Sequence, residues 1–370
     1  MNPNECSPGQ GNGNGNAGRG TTIIVTKQPS LLINGGMGVS QRGGTYSSVS
    51  STQYTLDRWQ MEFSGSPGAV VDISRVVDVP AGSGQSRSLK IDCTTDEAAV
   101  GAAEAIVLKT TIEAQDLQHL MYGDEINAQS TCLSFWVKSP KSGTHCAALY
   151  MPDGDVHNIQ EYNVSAANAW EFKIIVFPGY PTSTIADDNG AGLTISFPLV
   201  AGNDFQGNKD VWETGNDYAT AEQQNLLDST SNDFCVTGVK FEVGETATGF
   251  DFRSCDDEII ACQRYFRRVD FTTQNMSAWP CIADTTTTAR LLPGFERPMR
   301  AGPSLGYSIG TMTVVDQNSG NAITSMALQG ANIYGGRVNI TTSGLTTGDA
   351  VYLDQSSATP SGYIEFDAEF

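Results

Sequence analysis

The sequence contains no run of about 18 apolar residues, the length a membrane-crossing helix requires. Its first twenty residues, MNPNECSPGQGNGNGNAGRG, hold no apolar stretch of the kind a secretory leader carries. Export by the general secretory route is therefore not expected, and the thiols are expected to stay reduced. Histidine is scarce, with three residues (His119, His145 and His157), and none of the eight cysteines forms a CxxC pair. That argues against a zinc site. Basic residues are outnumbered, 21 against 41 acidic, for a net charge of −20. Such a surface repels phosphate backbones, which excludes nucleic acid as a partner. Its plain meaning is a solvated acidic face. There is no GxSxG element, and GMGVSQRGG lacks the strand-then-helix setting of a phosphate loop. Asn163 and Asn339 spell glycosylation sequons that have no meaning without export.

What is present points to β structure. The 370 residues are enough for two domains, and 39% hydrophobic residues are enough for a real core. Glycine is plentiful, at 39 residues. Short apolar-alternating segments recur: AVVDISRVVDV, SLKIDC, EAIVLKTTIE, TCLSFWVKS, HCAALYM, WEFKIIVFP, LTISFPLV and FCVTGVKFEVG. Eight or more such strands separated by turns predict two packed sheets. In CLSFWVKS, Leu133, Phe135 and Val137 form the better core face, opposite Cys132, Ser134, Trp136 and Lys138. Cys132 and Cys146 read as small core residues. AQDLQHLMYG, residues 114–123, reads as a short helical turn. Residues 1–29 read as a flexible Gly/Asn-rich arm ending in an anchor strand, TTIIVTKQP, and residues 30–253 as a β-sandwich. Residues 271–370 are again strand-like and form a C-terminal β head.

Between these lies CDDEIIACQRYFRR. Cys255, Ile259, Cys262, Phe266 and Val269 fall at i, i+4, i+7, i+11 and i+14, the stripe of an amphipathic helix, here assigned to 254–270. Asp256, Asp257 and Glu258 at its start and Arg264, Arg267 and Arg268 toward its end suit the helix dipole. A helix of two heptads is marginal alone in water and must bury that stripe. It packs either on its own chain or as a seam between copies, and the five residues are the candidate interface.

Several stretches carry a resemblance. LLINGGMGVSQRG (Leu31 to Gly43), YTLDRWQ (Tyr54 to Gln60), LSFWVKSPKSGTH (Leu133 to His145) and VTGVKFEVGETATGFDFRSCDDEIIACQRYF (Val236 to Phe266) resemble bacteriophage tail-fibre or minor virion structural proteins. The closing IEFDAEF (Ile364 to Phe370) resembles the ending of such chains. The resemblance covers about 30–266 well and 290–370 loosely. It implies a jelly-roll sandwich similar to carbohydrate-binding modules. It also implies a homotrimeric virion component, assembled in the host cytoplasm, that meets host surface glycan. The N-terminal arm would attach it to other tail or capsid proteins. No catalytic motif comes with it, so the expectation is a non-enzyme. The rival readings are a glycan-binding module, a polysaccharide depolymerase, and a capsid or connector decoration protein.

Sugar binding needs aromatic faces for stacking and polar neighbours for hydroxyls. Trp170, Trp212 and Tyr218 are the candidates, the last two in the polar loop KDVWETGNDYAT. Trp59 and Trp136 lie in strand-like motifs and read as core. No cofactor is expected. Ca2+ is the one ion considered, because PDGD and ADDNGAG supply Asp153, Asp155, Asp187, Asp188 and Asn189 as oxygen donors. Neither has the spacing of an EF-hand, and plain turns are the simpler reading. With 41 acidic residues, no carboxylate pair stands out for glycosidase chemistry.

Overall fold

The chain is described here from a computed structural model, which covers residues 28–272, 276–355 and 357–370. The arm at residues 1–20 lies outside the described residues, as does most of the anchor strand expected after it. The remainder is mainly β: a jelly-roll sandwich, a short helix and a β-rich head.

The sandwich is built from β1 (Thr45–Val49), β2 (Gln53–Tyr54), β3 (Gln60–Ser64), β4 (Val70–Val76), β5 (Ser88–Thr95), β6 (Ala105–Glu113), β7 (Thr131–Lys138), β8 (Gly143–Met151), β9 (Val156–Val164), β10 (Glu171–Phe177), β11 (Ala191–Ala201), β12 (Trp212–Thr214) and β13 (Asp233–Val243). A six-stranded sheet runs β1-β4-β5-β13-β7-β10, and a seven-stranded sheet runs β12-β9-β8-β11-β6-β3-β2. Both are antiparallel throughout, so each strand can present one face to the core and one outward. The inner faces meet in a core that includes Trp59, Leu133, Phe135, Val137, Phe197 and Phe241. Leu133, Phe135 and Val137 are all fully buried, as their alternation predicts. Trp59 is core as expected. Trp136 is not: it lies on the opposite parity of β7, half-buried on the outer face against Phe172 of β10. Residues 114–120 form a single 3-10 helix.

The motif NGG packs beneath β13. Gly35 accepts the Val239 N–H at 2.9 Å, and a Cβ at Gly35 would collide with the Val239 carbonyl oxygen. Only glycine allows the two backbones this close.

Helix α1 spans Cys255–Cys262. Ser254 caps it, its Oγ accepting the Asp257 N–H at 3.1 Å. The expected helix over 254–270 is therefore twice too long. A tight turn closes it, with Arg264 N–H donating to Ala261 and Tyr265 N–H to Cys262. The chain then becomes strand β14 (Phe266–Asp270). The reason is tertiary: β14 gains a five-residue ladder with the strand at Tyr363–Asp367. The aromatic and β-branched residues of FRRVD suit that strand, and the i+11 and i+14 positions of the stripe fall on it. Cys255 is exposed, Ile259 is half-buried, Cys262 and Phe266 are buried, and Val269 packs against the head core. The five stripe residues thus do not share one helical seam.

The head adds β15 (Met276–Thr285), β16 (Thr288–Leu291), β17 (Ser304–Ser308), β18 (Thr313–Asp316), β19 (Ser319–Ala322), β20 (Ser325–Asn332), β21 (Gly335–Thr341), β22 (Ala350–Gln355) and β23 (Tyr363–Asp367). They form a three-stranded sheet β14-β23-β17 and a seven-stranded sheet β19-β18-β22-β15-β16-β21-β20. The head has its own core, which includes Phe271, Leu291, Val338, Leu353 and Phe366.

The two lobes are joined by charge as well as by chain. Arg58, buried in the sandwich, pairs with the equally buried Glu369, and its guanidinium lies 3.4 Å from the centre of the Tyr265 ring. Arg42 reaches Asp367 at 3.0 Å and lies 3.5 Å from the Phe266 ring centre. Arg264 grips Glu113 with two prongs, at 2.6 and 2.7 Å. Arg300 of the head donates to the Asn189 carbonyl oxygen of the sandwich at 3.0 Å. The Arg58–Glu369 pair satisfies charges that burial would otherwise leave costly.

Candidate functional site

The outer face of the seven-stranded sheet carries a cleft lined by polar side chains. Alternation on β6 and β11 puts Lys109, Thr111, Thr194 and Ser196 on that face, while Leu108, Ile112, Leu193 and Ile195 go to the core. With Gln60 of β3 and Tyr150 of β8 they floor a cavity of about 220 Å³. Thr111 and Thr194 share a hydroxyl hydrogen bond at 3.1 Å.

One wall is the loop 203–220, which lies flat on the sheet. Phe205, Ala219 and the sheet residues Cys146, Ala148 and Ile159 form a small apolar cluster beneath it. Its far side is fixed by His157, fully buried, whose Nδ1 is 3.0 Å from the Gly215 carbonyl oxygen. The His157 Nε2 faces Glu213 and Asp217 at 3.9 and 3.7 Å. A Cβ on Gly207 would stand 2.9 to 3.1 Å from all three groups, so the loop crosses here on a glycine.

The other wall comes from the lobe junction. Tyr54 and Phe370 line it, and the Tyr54 hydroxyl lies 3.3 Å from the Phe370 N–H and 3.4 Å from its carbonyl oxygen.

A polar relay runs along the loop wall. Lys109 pairs with Glu62, Glu62 accepts the Tyr218 hydroxyl at 2.7 Å, and Tyr218 accepts the Asn216 amide N–H at 3.1 Å. Burial pushes the Glu62 carboxyl up, but Lys109 and the Tyr218 hydroxyl outweigh it and hold it below the ordinary range. Burial, aided by the Glu62 charge, holds the Tyr218 phenol well up, so it stays a donor. The relay ends at Asn216 Oδ1, which is buried and has no hydrogen-bond partner.

The expected sugar-stacking residues divide. Tyr218 lines the cleft, but its ring is buried and stacked on Phe205 with centroids 5.5 Å apart, so it offers its edge rather than a face. Trp212 packs against Tyr122 and Tyr180 and donates to the Pro178 carbonyl at 3.0 Å, which makes it a structural aromatic beneath a loop. Trp170 donates to Asp78 at 3.1 Å, with Lys138 over its ring at 5.5 Å. The structure does not bring these three together. Tyr54 and Tyr150 are the cleft aromatics that local sequence did not single out.

The oxygen-rich loops are occupied by their own backbone. Asp153 accepts the Ala186 N–H at 2.8 Å and Asp188 the Gly190 N–H at 2.8 Å. Asp155 accepts the Tyr150 hydroxyl at 3.1 Å. Asp187 is exposed, and Asn189 exchanges hydrogen bonds with Arg300 across the lobe junction, at 2.6 and 3.0 Å. Among the described residues no group of three or more His, Cys, Asp or Glu side chains is placed to hold a metal ion. Asp153, Asp155, Asp188 and Asn189 thus make turn or junction hydrogen bonds.

A second surface is apolar. On the outer face of the six-stranded sheet, Trp136 and Phe172 pair with ring centroids 5.2 Å apart, beside exposed Ile174 and Phe252. The loop 244–249 covers the neighbouring part of this face. It is pinned by the buried pair Lys240–Glu242, at 2.9 Å, with Thr248 donating its N–H to Glu242 at 2.8 Å.

No family model matches this chain, and no curated protein matches it. Among solved structures, the enzymatically active domain of bacteriophage CBA120 tailspike protein 4 is similar at 15% identity and a TM-score of 0.30, over 58% of this chain and 21% of that one. The match therefore spans about a fifth of the tailspike chain. The C-terminal family 22 carbohydrate-binding module of Clostridium thermocellum Xyn10B is similar at 12% identity and a TM-score of 0.30, over 56% of this chain and 98% of that one. A putative sugar binding protein from Bacteroides thetaiotaomicron is similar at 9% identity and a TM-score of 0.32, over 58% of this chain and all of that one. Function has to be read from the side chains of the cleft. Among the described residues no helix is long and apolar enough to cross a membrane.

Proposed function

We propose that this chain is a non-enzymatic glycan-binding component of a bacteriophage virion, a tail-fibre or receptor-binding part that attaches to host surface glycan. The observation that carries the binding reading is the cleft on the seven-stranded sheet. It joins hydroxyl and amide side chains to tyrosines. Sugars offer hydroxyl donors at close spacing and an apolar ring edge, which fits such a lining. The virion assignment rests on the resemblance of the sequence stretches given above.

In the same reading the chain works as a homotrimer. The contact between copies is placed on the apolar stripe Trp136, Phe172, Ile174 and Phe252, because a face of this kind is costly to leave in water. The direct test of binding uses labelled full-length chain on purified lipopolysaccharide and capsular polysaccharide, beside Asn216→Ala and Tyr150→Ala. Saturable binding that both variants weaken supports the reading. Binding that ignores them, or none, defeats it. Release of reducing ends from the polymer during the assay would favour the depolymerase instead.

A further inference from the structure

The head carries a polar hollow of its own, at the tip of the hairpin β20–β21. Gln329, Asn332, Tyr334 and Arg337 line it together with three glycines, and its volume is about 510 Å³. Gln329 stands directly opposite Arg337 in the ladder. The adjoining pair, Leu328 and Val338, packs into the head core, so alternation turns Gln329 and Arg337 outward. The Tyr334 backbone is held on both sides. Its N–H donates to Asn332 Oδ1 at 2.8 Å, and its carbonyl accepts the Phe295 N–H at 3.1 Å. The Tyr334 ring is nevertheless 65% exposed. An aromatic face presented from a fixed backbone leaves a stacking ligand little ordering entropy to overcome.

Charge sets this hollow apart. The chain carries −20, yet residues 317 to 348 hold one charged side chain, Arg337. Arg337 donates through Nη2 to Gln329 Oε1, and among the described residues no carboxylate pairs with it. The lining thus holds one cation and no acid. A planar guanidinium without a carboxylate of its own is matched by a carboxylate on a ligand, and an open tyrosine face by the apolar face of a sugar ring.

We propose that the hairpin tip of the head is a second glycan subsite, one that takes an acidic sugar. The ring of a uronic or sialic acid lies on Tyr334, its carboxylate meets Arg337, and the amides of Asn332 and Gln329 face its hydroxyls. The ligand class rests on the glycan-binding reading above, but the subsite shares no residue with the cleft of the sandwich.

The test is a printed array of oligosaccharides ending in glucuronate, galacturonate or N-acetylneuraminate, each beside its carboxyl-reduced form, probed with labelled full-length chain. At least one acidic member is expected to bind, and its reduced form about tenfold or more weakly, as where a charge-assisted fork is lost. Tyr334→Ala and Arg337→Gln are each expected to weaken the acidic member by about the same factor. Arg337→Lys, which keeps the charge and loses the fork, is expected to recover part of the binding. Tyr150→Ala, in the sandwich cleft, is expected to leave it unchanged. Equal binding of acidic and reduced members would overturn the carboxylate contact. Binding that both head variants leave intact would overturn the subsite, and its loss in Tyr150→Ala alone would keep the glycan-binding reading standing in the cleft. Binding to no member would overturn the subsite, while saturable binding to capsular polysaccharide or lipopolysaccharide that Tyr150→Ala weakens would still uphold the cleft.

Discussion

Arg264 grips Glu113 across the lobe junction with two parallel hydrogen bonds, Nε to Oε1 at 2.6 Å and Nη2 to Oε2 at 2.7 Å. Glu113 closes β6 of the sandwich and Arg264 sits just past α1, so the pair ties the sandwich to the segment that leads into the head. The forked guanidinium and the carboxylate match in plane and spacing, which makes the pair directional.

That pair has a pH signature. Burial pushes the Glu113 carboxyl up, but the Arg264 hydrogen bonds outweigh it and hold it below the ordinary carboxylate value. An acid with a depressed folded value stabilises the fold above its unfolded value, and that contribution is lost as pH falls through the folded one. Thermal stability is expected to fall on acidification below about pH 4.5. In Glu113→Gln the acid-side slope is expected to be shallower. Melting temperatures of both proteins between about pH 3 and 7 would check this, and an unchanged slope would rule it out.

The Arg58–Glu369 pair carries the larger penalty when halved. Removing Glu369 leaves the buried Arg58 charge without its carboxylate, which costs about 3–5 kcal/mol, while removing Arg58 leaves Glu369 only Arg42, at 3.4 Å. Arg58→Met and Glu369→Gln are each expected to lower the chemical-denaturation midpoint, and the double variant is expected to be less destabilised than the sum of the two. Additive losses would show that the two side chains do not sense one another.

Gly35 tests the close approach of the NGG motif to β13. Gly35→Ala drives a methyl into the Val239 carbonyl and is expected to cost about 1–3 kcal/mol or more, as overpacking does. Gly38→Ala, two glycines along, meets nothing within 4 Å and is the matched control, expected to stay near wild type. Unfolding in urea distinguishes the two.

Gly207 tests the loop wall of the cleft. Gly207→Ala places a Cβ among His157, Glu213 and Asp217 and is expected to lift loop 203–220 from the sheet. Glycan binding should fall while the melting temperature moves by only a few degrees, since the loop lies outside the main core. Equal loss of both would assign the loop to global stability.

Light scattering after size exclusion checks the trimer. Phe172→Glu and Ile174→Glu put charge on the exposed stripe and are expected to convert a trimer to a monomer without loss of secondary structure. A trimer that survives both would move the contact elsewhere.

Strand alternation made the sandwich legible: Leu133, Phe135 and Val137 share a parity, and they share the core. Trp136 lies in a strand-like motif and so reads as core, but its parity, opposite to that of Leu133, Phe135 and Val137, turns it to the outer face. The helix overran because Phe266 and Val269 satisfy helical spacing, while the partner that makes them a strand, β23, lies about a hundred positions later. The cleft was hardest to see. Its residues come from β3, β6, β8, β11, a loop and Phe370, and hydrogen bonds between such distant positions leave no local pattern. One signal was available: Thr194 and Ser196 in LTISFPLV are polar at every second place within an otherwise apolar strand. That spacing marks a sheet face set apart from the main core.

The position of β23 between β14 and β17 sets an order of events during synthesis. A ribosome has made the whole sandwich, with Arg42 and Arg58 already in place, long before it reaches Asp367 and Glu369. Through that interval the two arginines wait without their carboxylates, and β14 has an open edge toward its future neighbour. Strand β23 and the residues just after it thus supply the middle of a sheet, carboxylate partners for both arginines and a wall of the cleft.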